Sequence, residues 1–424
     1  MVERILVAGG GLAGLTAARH LAADGFDVQV IERRDTVGGR VRTDREDGFL
    51  LDRGFQVLFP AYPAVRRELD LGALDLRRFE PGATIARPGE RSVLADPLRA
   101  PRRAPASLAN REVSVADKLR TLRLRLELTR RDWESCFAGP DESIRSYLRG
   151  RGFSERFVGN FAAPFYGGIT LDRSLSTSRA VFEYTFKAMA EGPIAVPAGG
   201  MGAIPDQLAA GARDAGATVE TDAAVEAVTP RDSGGVSLRV EGAEMEADAA
   251  VVATDPPTAG ELTGVDAIPT DARGCVTQYF TLPRPAPGGE GRLVLNAGGT
   301  GPNHVAPLSA VAPEYAPDGR ALLSAVFLGD PDPDDAELAE RTRAALASWY
   351  PERGFGDLAL LRTDRIRFAQ FEQPPGFREG LPDASAPEGD VFLAGDYTRW
   401  SSIDAAIESG RATAAAVRTS LRSA

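Results

Sequence analysis

Histidine, cysteine and lysine are nearly missing from this chain of 424 residues, which has two of each: His20 and His304, Cys136 and Cys275, Lys118 and Lys187. Two histidines leave a Ser-His-Asp triad or a histidine-rich metal site almost nothing to build on, so hydrolase and metalloenzyme readings fall early. The cysteines stand far apart, without a CxxC or a partnering histidine, and read as buried thiols rather than a disulfide or a zinc site. No apolar run approaches the roughly 18 to 20 residues needed to span a bilayer, and with the first strand signal at Ile5 no signal peptide is expected. The expected location is cytoplasmic. A basic surface is lacking as well: the net charge of −11 disfavours a nucleic-acid partner.

What remains is ordinary for a soluble globular protein, with 43% hydrophobic and 26% charged residues, and the length fits two intertwined or consecutive domains. Residues 4 to 33 read as a β-α-β unit: a short apolar strand Ile5 to Ala8, a glycine turn, a helix from about Leu12 to Asp24, then a strand Val28 to Glu32. A second such piece lies at Gly199 to Thr254, with a helix near Ala203 to Ala215. A third is VFLAGDYTRWSSIDAAIESG from Val391. Three separated β/α pieces of one sheet imply an α/β, Rossmann-type domain into which a discontinuous α+β domain is inserted twice. The expected boundaries are 1–90, 196–270 and 385–424 for the first domain, and 91–195 and 271–384 for the second. In the inserted parts, residues 95 to 195 read as mostly helical, with Ser114 to Asp117 as a capping box ahead of LRTLRLRLELTRR. Residues 271 to 330 carry β-type runs, and residues 335 to 350 a further helix.

Gly9-Gly10-Gly11-Leu12-Ala13-Gly14 matches G-x-G-x-x-G between a strand and a helix. Gly9 makes the turn, Gly11 lets the backbone approach a pyrophosphate, and Gly14 allows close helix–strand packing. Glu32 ends the second strand, where an acid receives ribose hydroxyls. Downstream, ERRDTVGGRVRT sets Gly38-Gly39-Arg40 in a turn whose N–H groups and guanidinium can fork onto phosphate oxygens or a flavin edge. In the third piece, a helix starting at Ser401 or Ser402 would present free N–H donors and the positive end of its dipole.

The chain resembles the FAD-dependent amine oxidase and carotenoid (phytoene) desaturase superfamily. The resemblance rests on VAGGGLAGLTAA, ERRDTVGGRVRT, GFLLDRGFQVLFPAYPAV, VPAGGMGAIPDQLAA and LAGDYTRWSSIDAAIESG, in the family's order and over nearly the whole chain. It implies FAD as cofactor, with Gly9, Gly11, Leu12, Ala13 and Gly14 at the pyrophosphate, Glu32 at the adenosine ribose, Arg33 or Arg34 near the adenine, and Val225 reading the adenine through its backbone. Gly39 and Arg40 would line the pyrophosphate and flavin, and Gly54, Phe55 and Gln56 would pass beside the isoalloxazine. Gly395 and Asp396 would hold the pyrophosphate and ribityl chain, and Ser402, Ile403 and Ala406 would approach the pyrimidine end. Covalent members attach FAD through a cysteine near the closing motif. None follows Cys275, so the FAD is expected to be dissociable.

The implied activity is oxidation or desaturation of an amine or apolar small-molecule substrate by hydride transfer to flavin N5, a reaction that asks the protein mainly for position, dryness and electrostatics. No acid, base or nucleophile stands out. Many amine oxidases of the family place a lysine in the substrate domain, and Asp271 to Arg378 has none; Ile403 stands where a cage aromatic is expected, although Trp400 is nearby. These departures favour the isoprenoid desaturase branch, although the His-Pro-Gly-rich closing loop usual in bacterial phytoene desaturases is lacking. A flavin amine oxidase and a protoporphyrinogen oxidase remain alternatives. A non-catalytic prenyl-binding scaffold of the same fold is the alternative from another class, but such scaffolds tolerate degraded nucleotide motifs and these motifs are intact. The Arg-Leu segment Leu119 to Arg131 could rest on a membrane surface; a helix with a solvated basic face is the simpler reading.

Overall fold

The computed structural model describes residues 2–95 and 112–423. Its first sheet has five strands, all parallel, in the order Val391–Leu393, Ala249–Val252, Arg4–Ala8, Asp27–Ile31 and Thr218–Glu220. Parallel strands buried on both faces need continuous apolar sequence, which RILVA, AAVV and VFL provide. Alternation along the first strand divides its side chains between two cores. Ile5 and Val7 meet Ala17 and Leu21 of the helix Leu12–Ala23 and Val417 of the closing helix Ile403–Ser423, while Leu6 meets Val236 and Leu238 on the other face. Those last two belong to a three-stranded antiparallel sheet, Val225–Pro230, Val236–Val240 and Ala243–Ala247, of which the third strand was not anticipated.

The first and closing helices pack against each other. A Cβ on Gly410 would collide with the Ala13 carbonyl oxygen, so glycine there sets how closely they approach.

The second sheet has seven strands in the order Ala359–Phe371, Ala272–Pro283, Arg320–Leu328, His304–Ala306, Leu293–Asn296, Ala83–Arg87 and Glu90–Leu94. The helix Asp335–Trp349 covers one face through Leu338, Leu346 and Trp349. The hairpin Ala83–Leu94 pairs here, so the domain boundary expected near residue 90 falls inside an element of the second sheet. The 13-residue strand Ala359–Phe371 was also not anticipated; its burial is mostly partial and it carries four arginines or aspartates between apolar residues, which hides the strand period.

Helices Val115–Leu128, Ile144–Gly150, Ala163–Thr170 and Arg179–Glu191 form a further layer, with the expected cap present: Ser114 Oγ accepts the Asp117 N–H at 3.1 Å. The LRLRLEL stretch is helical, and its outward face is mixed, with Val115, Leu119, Leu122 and Leu126 exposed beside the exposed Arg123 and Arg130. Among the described residues no helix is long and apolar enough to cross a membrane. Asp52 joins the layers. Its buried carboxylate accepts from the Met201 N–H at 2.9 Å and the Tyr315 hydroxyl at 3.1 Å, and burial pushes its pKa up to about 6.

Candidate active site

A cavity of about 430 Å³ is lined from both sheets and from both ends of the chain. At the glycine turn, Gly9 has a φ of +108°, and a Cβ there would stand 2.7 Å from the Ala253 carbonyl oxygen, so only glycine fits. The helix behind it begins at Leu12 with Gly11 as an N-cap that makes no side-chain hydrogen bond. Nothing lies within 4 Å of where a Gly11 Cβ would be. First-turn N–H groups thus stay available to an anion. Gly9, Gly11, Leu12 and Ala13 line the cavity, but Gly14 does not, contrary to its expected pyrophosphate contact. A Cβ on Gly14 would collide with the Gly9 carbonyl oxygen, so its part is to let helix and turn close on each other.

Glu32 is 4% exposed and fixed by the backbone: Oε2 accepts the Gly10 N–H at 2.8 Å and Oε1 the Arg34 N–H at 3.0 Å. Arg33 lines the same end and donates to Asp255 at 3.0 Å, beside Val225. Asp255, missed in the sequence, caps the helix Pro256–Thr263, and the Pro-Pro that follows it was the available signal.

Gly39, at φ +61°, and Arg40 bring the second glycine turn into the cavity. Arg40 Nη2 donates to Asp396 Oδ1 at 2.6 Å and Nη1 to the Ala369 carbonyl at 3.1 Å. Burial alone would lower the pKa of this guanidinium, and Asp396, together with Asp255 and Tyr397, more than offsets it. The fork expected to be free for a phosphate is therefore partly occupied, tying residue 40 to residue 396. Asp396 Oδ2 accepts from Ser401 Oγ at 2.8 Å, and the Gly395 N–H donates to Ser409 Oγ at 2.9 Å.

The closing helix differs from its expected form. It starts at Ile403, and Ser402 Oγ accepts the Ala405 N–H at 2.9 Å, so one donor expected to face the ring is already capped. Asp404 in the same turn accepts from the Ala64 N–H and the Tyr184 hydroxyl, both at 2.8 Å, and its carboxylate offsets part of the positive end of the helix dipole. Ser402, Ile403 and Ala406 nevertheless line the cavity, as do Gly54, Phe55, Gln56, Gly395 and Asp396.

Beyond this end the lining turns apolar, with Phe59, Phe165, Ile169, Leu171, Leu293 and Leu295. Trp400 lines it too, within an aromatic group in which its ring centre lies 5.0 Å from Tyr184 and 6.0 Å from Tyr62. Cys275 also reaches the lining, where burial pushes its thiol up to about 11 and keeps it protonated. The lining carboxylates among the described residues are Glu32, Asp255 and Asp396, all at the end that carries the glycine turns. His304, set aside in the sequence for want of partners, sits on the apolar side.

Three features suit a flavin dinucleotide: the uncapped helix start at Gly11, the oriented Glu32 carboxylate, and a buried acceptor on Gln56. Gln56 Nε2 donates to the Arg40 carbonyl at 2.9 Å, which fixes the amide and leaves Oε1 without a partner. A ring N–H can supply the missing donor. The model of the family described as flavin containing amine oxidoreductase matches residues 12–418. The chain belongs to this family. FAD is accordingly its cofactor, and the family is one of oxidoreductases. Among relatives, the phytoene dehydrogenase of Streptomyces griseus is 31% identical over 248 residues, 51% of this chain and 47% of that protein. The chain thus spans about half the length of this relative, or less for others it matches. Two solved structures share the fold. A putative protoporphyrinogen oxidase from an Exiguobacterium species has a TM-score of 0.72 at 16% identity, covering 99% of each chain. Cyclohexylamine oxidase from Brevibacterium oxydans has a TM-score of 0.70 at 18% identity, covering 100% of each.

Proposed function

We propose that this flavoprotein oxidises or desaturates a neutral, apolar small molecule, in the manner of the isoprenoid desaturases. The observation that carries this reading is the apolar half of the cavity, in which no described lining residue is a carboxylate. An ammonium substrate buried there would have no counter-charge, and burying an unpaired charge is costly. The bound FAD supplies the hydride acceptor at N5. The chain's own contribution is to orient the substrate and to exclude water.

In this reading Gly9, Gly11, Leu12 and Ala13 hold the pyrophosphate, Glu32 the ribose, and Arg33 and Val225 the adenine end. Gly39, Arg40, Gly395 and Asp396 follow the chain toward the ring, which Gly54, Phe55, Gln56, Ser402, Ile403 and Ala406 surround. The five-stranded sheet with its covering layers is the cofactor domain. The seven-stranded sheet and the helical layer form the substrate domain, which the chain first enters at Ala83. Cys275, the only lining thiol among the described residues, is protonated, in keeping with a dissociable FAD. The exposed stripe of Val115, Leu119, Leu122 and Leu126 suits a lipid surface that stores apolar substrates, which vesicle sedimentation tests.

Anaerobic titration of the holoenzyme tests the substrate class through bleaching of the flavin's visible absorbance. Isoprenoid polyenes should bleach it, whereas amines and porphyrinogens should not. Bleaching by an amine alone would replace this reading with amine oxidation.

A further inference from the structure

His304 begins the strand His304–Ala306 and stands directly opposite Leu295 on the neighbouring strand. Residues opposite each other in an antiparallel pair point to the same side of a sheet, here the side on which Leu293 and Leu295 line the cavity. The imidazole is 3% exposed, and its ring centre lies 5.0 Å from that of Phe55 in an edge-on arrangement. Its Nε2 has no hydrogen-bond partner.

The surroundings decide which nitrogen carries the proton. Asn303 Nδ2 donates to the Pro164 carbonyl at 2.8 Å, and Asn303 Oδ1 accepts from Arg173 Nη1 at 3.4 Å. A carbonyl can only accept and a guanidinium can only donate, so this amide cannot be turned round. The same Nδ2 lies 3.1 Å from His304 Nδ1, which must then be the acceptor. Nδ1 keeps its lone pair, and the proton of the neutral ring is on Nε2. Burial opposes a second proton, pushing the pKa down to about 4.

We propose that His304 Nε2–H is a substrate-orienting donor that binds a neutral acceptor oxygen, of a ketone, alcohol or ether, on an otherwise apolar substrate. The inference rests on the apolar-substrate reading above and narrows it. A buried donor without a partner is a free-energy cost that such an oxygen removes and a pure hydrocarbon does not. Sites built around a hydrogen bond discriminate far more strongly than sites that sense only size. An ammonium group, itself a donor, gains nothing from Nε2–H.

The test compares an isoprenoid ketone, farnesylacetone, with squalene as the hydrocarbon probe, both titrated into holoenzyme and followed by perturbation of the flavin spectrum. The ketone should bind His304→Leu about tenfold more weakly than wild type, with squalene unchanged. Gly168→Ala gives an independent variant that keeps the imidazole, since a Cβ there would stand 3.0 Å from His304 Nδ1 and displace the ring. It should weaken ketone binding in the same direction. With only two histidines, ¹⁵N-histidine NMR resolves the ring directly: His304 should be the Nε2–H tautomer, and its Nε2 signal should move with the ketone and not with squalene. A protonated Nδ1, or equal losses for both probes in His304→Leu, overturns the proposal while leaving an apolar substrate in place. Failure of both probes to bind wild type overturns the apolar reading and the donor role with it.

Discussion

At the end of the cavity proposed to hold the nucleotide, the polar groups are held by partners from the glycine turns and their neighbours: Glu32 by the Gly10 and Arg34 N–H groups, Arg40 by Asp396. At the apolar end a single imidazole is oriented through Asn303 by Pro164 and Arg173, which come from another layer of the fold. The first arrangement places fixed backbone donors around an anion, a need that many dinucleotide sites share. The second leaves the unpartnered His304 Nε2 in a mostly apolar surrounding, proposed above as a means of choosing between substrates. On the proposed reading, binding strength and selectivity fall to different residues, and they can be altered separately.

The largest expected effect falls on the nucleotide end. Gly14→Ala forces a methyl onto the Gly9 carbonyl and should cost about 3 kcal/mol, with loss of co-purifying FAD, as read by urea denaturation and by visible absorbance. Retained FAD and unchanged stability would remove the packing role given to Gly14.

The apolar end should respond to pH. An unfolded histidine titrates near 6.5, whereas His304 in the fold titrates at about 4. The unfolded chain takes up the proton first, so stability falls as pH drops from 6.5 to 4, by about 3 kcal/mol at most. Asp52 acts in the opposite sense: its folded pKa of about 6 means that stability is lost as pH rises from about 4 to 6. The two slopes offset each other in the wild type. The pH dependence of stability in wild type minus that in His304→Leu isolates the histidine, and a flat difference would show that it is not buried as described.

Glu32→Ala should weaken FAD binding by about 2 kcal/mol, roughly 30-fold in Kd, while leaving turnover at saturating FAD within a factor of about two. An equal loss in turnover would mean that the two ends are not independent. The smallest effect is expected at the capped helix start, where Ser402→Ala should cost about 1 kcal/mol of stability in a thermal melt and leave FAD bound.

The parts of this architecture that follow from neighbouring residues were legible in the sequence. Gly9, Gly11 and Gly14 are punctuation within one turn, and Ser114 with Asp117 is a cap within one helix. Strand Ala359–Phe371 was not, because arginines and aspartates at partly buried positions break up its apolar alternation. Arg40 and Asp396 were each singled out, but their mutual ion pair joins residues 356 positions apart and altered the role expected of both. His304 was passed over because its importance lies in Asn303, Pro164 and Arg173 fixing its tautomer, and no spacing along the chain encodes that set.

The Arg40–Asp396 pair also bears on how the protein is made. The edge strand of the five-stranded sheet, the partner of Arg40 and the wall formed by Ser402, Ile403 and Ala406 all lie beyond residue 390. A nascent chain halted before that point lacks both the edge of the sheet and the last wall of the cavity, however well its first 250 residues have folded. Closure of the cavity therefore depends on residues 391–406, and a ribosome-bound intermediate stalled before them is expected to retain less FAD.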